Sequence, residues 1–211
     1  MTELNVKGEE IIAAQEFIEK VYTDTSRLVK VLEDFMTAKK RGYEAAFGNS
    51  ALWGGSGAWS KPDEWLPKFV FRIYGRGEGK KRRGHSFLPP GLFPFVAVYF
   101  KPERIPKRKK QPVVAYGTLS LKKAVKKEDL NTCLCNDSPR FVVKESVGKW
   151  QTTRAEGVTG GQIRFQIRPL IEVNCEEEVE KIARLITARI KNPTVKQPAS
   201  DGEAAVESPM N

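Results

Sequence analysis

The sequence predicts an α+β protein: an antiparallel sheet of about five strands, with a long N-terminal helix and a C-terminal helix packed on it. Three observations predict this class. The first 40 residues carry helical periodicity, the middle of the chain carries a series of short β-branched and aromatic runs, and residues 174–192 carry start and stop signals of a helix.

The first helix is expected from about Glu9 to Arg41. Ile11, Ala14, Ile18, Val21, Thr25, Leu28, Leu32 and Phe35 are spaced alternately by three and four, a heptad seam. Ile12, Val29, Val31 and Met36 lie off the seam and broaden the apolar face. One side of such a helix suits a sheet, and the other a partner helix in a homodimer. Gly42 or Gly48 ends it.

Residues 48–66 read as irregular, with a short capped turn at Ser60-Lys61-Pro62-Asp63. Five strand candidates follow: Phe69–Tyr74, Phe95–Phe100, Val113–Leu119, Phe141–Lys144 and Ile163–Ile171. The alternation in the last predicts one wet face. The connections hold no helix-length periodic stretch, so antiparallel pairing is favoured over parallel crossovers. In the final helix Asn174 is the expected N-cap, with Glu177 three residues on as in a capping box. Glu176–Glu178 and Arg189/Lys191 suit the two ends of the helix dipole. Val179, Ile182, Ala183, Ile186 and Ile190 form its buried stripe, and Asn192-Pro193 stops it. Residues 1–192 are thus one expected domain, and 193–211, poor in bulky apolar groups, an expected disordered tail.

With 211 residues, 40% apolar and 29% charged, the chain has ordinary globular composition. No apolar run approaches a membrane span, and Met1–Asn5 shows neither the basic start nor the apolar stretch of a secretory signal. Three cysteines, Cys133, Cys135 and Cys175, do not make a disulfide framework and fit a reducing, cytoplasmic setting.

The net charge of +10 is concentrated. Residues 68–129 hold 17 Lys and Arg against four Asp and Glu, or +13. Such a field attracts a polyanion. Three connections carry it: Lys80, Lys81, Arg82 and Arg83 between the first two strands; Lys107, Arg108, Lys109 and Lys110 between the second and third; Lys122 and Lys123 after the third. In an antiparallel meander the first and third share one end of the sheet and the second lies at the other. Glycines around Lys80 let backbone approach a phosphate. Trp53, Trp59, Trp65, Tyr74 and Phe87 are near enough in sequence to stack on bases, or they fill the edge of the core.

Catalytic and metal patterns are poorly supplied. Cys133, Cys135, Cys175 and His85 lack the spacing of a zinc knuckle, so no metal or cofactor is expected. With one histidine, nucleophilic catalysis would rest on His85 in a basic loop. Pro62-Asp63 followed by Glu78-Gly79-Lys80 fits the Pro-Asp…Asp/Glu-x-Lys spacing of metal-dependent nucleases, in which two carboxylates hold magnesium and a lysine orients water. Those residues fall among glycines and not on a strand, which weighs against it. The expectation is a non-catalytic binding or regulatory module that engages nucleic acid or another polyanion. In outline, helix, meander and helix also resembles sensor domains of the PAS or GAF kind, which implies a ligand-sensing dimer as the alternative, with a magnesium-dependent nuclease third.

Overall fold

A computed structural model describes residues 8–38, 42–47, 69–76, 87–100, 111–130, 148–154 and 161–191, with the backbone alone at 52–54. Helix α1 spans Gly8–Thr37 and α2 spans Glu176–Lys191. The strands are β1 (Tyr43–Ala45), β2 (Leu52–Gly54), β3 (Phe69–Arg76), β4 (Phe87–Leu88), β5 (Gly91–Tyr99), β6 (Val113–Leu121), β7 (Val125–Lys126), β8 (Gln151–Arg154) and β9 (Gln162–Pro169).

The main sheet runs β1-β3-β5-β6-β9-β8, with β2 also paired to β3, and every pairing is antiparallel. The long strands β5 and β6 pair from Gly91↔Leu121 to Tyr99↔Val113. The β3 ladder on β5 stops at Ile73↔Phe95, just before Pro94, whose nitrogen has no hydrogen to donate. A two-stranded ribbon, β4 with β7, lies beside the sheet.

Period-two alternation divides the strand residues between two cores. On one face Phe71, Phe95, Leu119, Ile163 and Phe165 are buried, with Phe71 and Phe95 stacked at 4.7 Å between ring centroids. On the other face, Tyr74, Val96, Val98, Val114 and Tyr116 meet Leu32 and Met36 of α1 and Val179, Ile182, Ala183 and Ile186 of α2. Both helices therefore lie on one side of the sheet, as the sequence predicts.

The wet face expected for Ile163–Ile171 is not wet. Gln166 is buried and Arg164 and Arg168 half-buried on the face that carries the helices. Gln166 accepts a 2.8 Å hydrogen bond from the buried Tyr116 hydroxyl, whose pKa burial pushes up to about 12. Arg168 forms an ion pair with Glu178 of α2 and reaches Glu172 at 3.7 Å. At Arg168 the polar side of the alternation marks a helix–sheet contact sealed by an ion pair, because buried polar groups persist where they find partners. On the same face, Arg72 of β3 holds Glu33 of α1 through Nε at 3.1 Å and Nη2 at 2.7 Å.

The Arg168 hydrogen bond, helped by its charge, holds the Glu178 carboxyl below the ordinary value. A depressed folded pKa stabilises the fold above the unfolded value of about 4.3 and is lost as pH falls through the folded pKa. Glu178→Gln is therefore expected to lower the melting temperature at neutral pH. Its curve should converge with that of the wild type in strong acid. Thermal melts from about pH 7 to about pH 2.5 check this, and parallel curves would show that the pair does not titrate with folding.

Other boundaries differ from expectation. Helix α1 ends at Thr37, and Gly42 takes the left-handed conformation at φ +67° that turns the chain into β1. Helix α2 begins at Glu176, and the Val179 N–H donates to the Cys175 carbonyl at 3.3 Å. Cys175, not Asn174, therefore flanks its first turn, so Asn174 and Glu177 do not stand at the two positions of the expected capping box. Arg189 stands in the last turn as expected, and there it is 8% exposed, with its guanidinium 5.4 Å above the Trp150 ring. The segment after Ile167 closes as a 3-10 turn at Leu170–Glu172. The strand expected at Phe141–Lys144 and the tail from residue 193 lie outside the described residues, whereas the unexpected β8 forms the edge beside β9.

Candidate functional site

The sheet topology decides which basic residues share an end. Strand β3 finishes at Arg76, β5 starts at Gly91 and β6 finishes at Leu121, all at one end. Ser120 pairs with Gln162 and Gln162 with Arg154, so β8 also finishes there. From β3 to β8 are four strand spacings, or about 19 Å. Lys122 and Lys123 leave β6 in the middle of this row, and both are exposed, as are Arg76 and Arg154.

The β4–β7 ribbon extends the same end. Leu88 pairs with Val125, and both are buried in the core opposite the helices. Alternation then turns their neighbours outward: Lys126 is exposed, and Phe87, its partner across the ribbon, is 48% exposed. Lys127 lies 5.6 Å above the Phe47 ring, a cation–π contact. The described acidic groups here are Glu44, Glu128 and Asp129, all exposed. Among the described residues none of Arg76, Lys122, Lys123 or Lys126 is held in an ion pair. Six basic side chains against three acidic ones give this end a positive field with cations free to meet a ligand.

Of the residues singled out in the sequence, Lys122 and Lys123 are therefore brought to an exposed sheet end. The chain leaves β3 at Arg76 and resumes at Phe87 on this same end, and the segment between carries Lys80, Lys81, Arg82 and Arg83. Those four lie outside the described residues. The segment joining β5 to β6 leaves the opposite end of the sheet. Its Lys107, Arg108, Lys109 and Lys110 also lie outside the described residues. Arg76 is counted in the +13 stretch but was not singled out, and Arg154 was missed because it lies on a strand the sequence does not predict. The end of a strand, at a position whose neighbours alternate inward, was the available signal.

Tyr74, a candidate for base stacking, is fully buried beneath α1, so it belongs to the core and cannot stack on a ligand. Burial pushes its phenol pKa well above the usual range, with the nearby Glu33 charge adding to the shift. Trp59, Trp65 and the nuclease-like Asp63, Glu78 and Lys80 lie outside the described residues, as do Cys133, Cys135 and His85. The side chain of Trp53 is likewise outside them, while Cys175 is exposed at the start of α2. Among the described residues no three His, Cys, Asp or Glu side chains are grouped to hold a metal, and no helix is long and apolar enough to cross a membrane.

No family model matches the chain, and neither a curated protein nor a solved structure is similar to it.

Proposed function

We propose that this protein is a non-catalytic binding module for a polyanion, nucleic acid above all, and that it uses the end of the sheet where β3, β6 and β8 finish. The observation that carries the reading is the convergence of exposed Arg76, Lys122, Lys123 and Arg154 on one sheet end across five adjacent strands. Lys126 and the half-exposed Phe87 add a cation and an aromatic edge beside it. Cations spread along a row contact successive phosphates without reading base edges, so binding is expected to be indifferent to sequence. In this reading Lys80–Arg83, which join the chain to the same end, contribute further phosphate contacts. A second copy of the chain is the other partner, through α1.

The test is a fluorescence titration with labelled single- and double-stranded oligonucleotides at several salt concentrations. Each phosphate contact lowers log K against log salt by about 0.7 to 0.9. Replacing Arg76, Lys122 and Lys123 together with alanine is therefore expected to weaken binding to every sequence alike and to flatten the slope by about 2 to 3. All three side chains are exposed, so the fold should be unaffected. Absence of binding at low salt, or binding that ignores the triple substitution, removes the reading.

A further inference from the structure

The buried stripe of α1 does not end where the sheet ends. At 1.5 Å per residue the 30-residue helix is about 45 Å long. Its first buried residue is Thr25, and from Gly8 to Lys20 every residue is exposed except the half-buried Ile18. Yet the seam is unbroken: Ile11, Ala14, Phe17, Ile18 and Val21 lie on the helical face that further along carries Leu28, Leu32 and Met36 into the core. Ile11 is 57% and Phe17 68% exposed. Between this overhang and the start of α2 lies an open groove of about 760 Å3. One wall is Phe17, Val21 and Leu28; the other is Leu170, Ile171 and Val179, with Ile171 76% exposed.

We infer that the groove receives the α1 overhang of a second copy, antiparallel to its own, in a two-fold dimer. The inference rests on the homodimer reading above and adds the surface and its geometry. Three arguments select this occupant. The overhang is itself a wall of the groove, so one two-fold axis closes both grooves with the same patch, as an isologous interface requires. Charge then selects the direction. Residues 8–19 of α1 carry Glu9, Glu10, Glu16 and Glu19 and no basic residue, whereas 20–30 carry Lys20, Arg27 and Lys30 against Asp24 alone. Parallel helices would oppose the acidic halves. Antiparallel helices instead lay each acidic half along the basic half of the second copy. The area also suffices. Two helices in contact over about 30 Å, each covering the other copy's Leu170–Ile171 wall, remove on the order of 1,200 Å2 from water, the lower range of a stable interface.

Sedimentation equilibrium of the full chain tests the inference. The wild type is expected to be dimeric, and Phe17→Glu and Ile171→Glu each monomeric, with far-UV circular dichroism unchanged because both side chains are exposed and with a melting temperature that matches the wild type at dilutions where it too is monomeric. Raising the salt from about 0.05 M to about 0.5 M is expected to weaken the dimer several-fold, since attraction between the acidic and basic halves is screened. A wild type that is monomeric at about 100 µM overturns the homodimer reading and the inference with it. A dimer that ignores Phe17→Glu and Ile171→Glu overturns the groove geometry and leaves a homodimer built elsewhere, and one that tightens as salt is added overturns the antiparallel direction.

Discussion

Gly117→Ala is expected to destabilise the protein by about 3 kcal/mol or more, the upper range for forcing atoms into a packed core. Gly117 lies opposite Phe165 in the β6–β9 ladder. A methyl group there would collide with the Arg164 carbonyl oxygen and come within 2.8 Å of the Phe165 Cα. Both neighbours are backbone of the next strand, so neither can rotate away, and relief needs β6 and β9 to separate. For a chain of this size the loss corresponds to a melting temperature lower by roughly 6 to 12 °C. Ser120→Ala, three residues along β6 at a half-exposed position, serves as the control and should change the melt by less than about 2 °C. If Gly117→Ala melts with the wild type, the close approach of β6 to β9 is wrong.

The second large effect is expected at the Arg72–Glu33 pair, which ties α1 to β3. The Arg72 side chain is 8% exposed and that of Glu33 27%, and both guanidinium contacts are within 3.1 Å. Removing one partner leaves the other charge partly buried without its counterion, which costs about 3 kcal/mol. Arg72→Met alone should therefore lower the denaturant midpoint substantially. Arg72→Met with Glu33→Leu should recover most of the loss, since an apolar pair needs no desolvation of charge. Equal stability of the single variant and the wild type would show that water already screens the pair. A double variant as unstable as the single one would show that the pair serves a packing shape that apolar groups cannot reproduce.

Both effects arise at positions the sequence does not mark. Gly117 stands inside a clear strand run, and nothing in Val113–Leu119 shows that another backbone lies against it. Arg72 interrupts the apolar run Phe69–Tyr74, and nothing near it in sequence shows its partner, which is 39 residues away on α1. Arg164, Gln166 and Arg168 misled for the same reason. Alternation reports that two faces differ in polarity, but whether the polar face meets water or a helix carrying complementary groups is a tertiary question. At the candidate site, charge density pointed to the segments around Lys80, Lys107 and Lys122. Arg76 and Arg154 join Lys122 and Lys123 only through the strand order β3-β5-β6-β9-β8.

By itself the sequence determined what local physics controls. Seam spacing makes α1 a helix, charge at both ends orients α2, and β-branched and aromatic runs make β3, β5, β6 and β9 strands with antiparallel connections. It also determined that the positive charge is concentrated in the middle of the chain. Tertiary structure alone decided the partners at a distance: the insertion of β8 as an edge, the ion pairs that seal both helices to the sheet, and the end at which the cations gather. It also decided how far α1 runs past the sheet. Helical periodicity is a property of the chain and continues through Ile11 to Phe35 without interruption. The point at which that stripe stops being buried is set by the length of the strands beneath it.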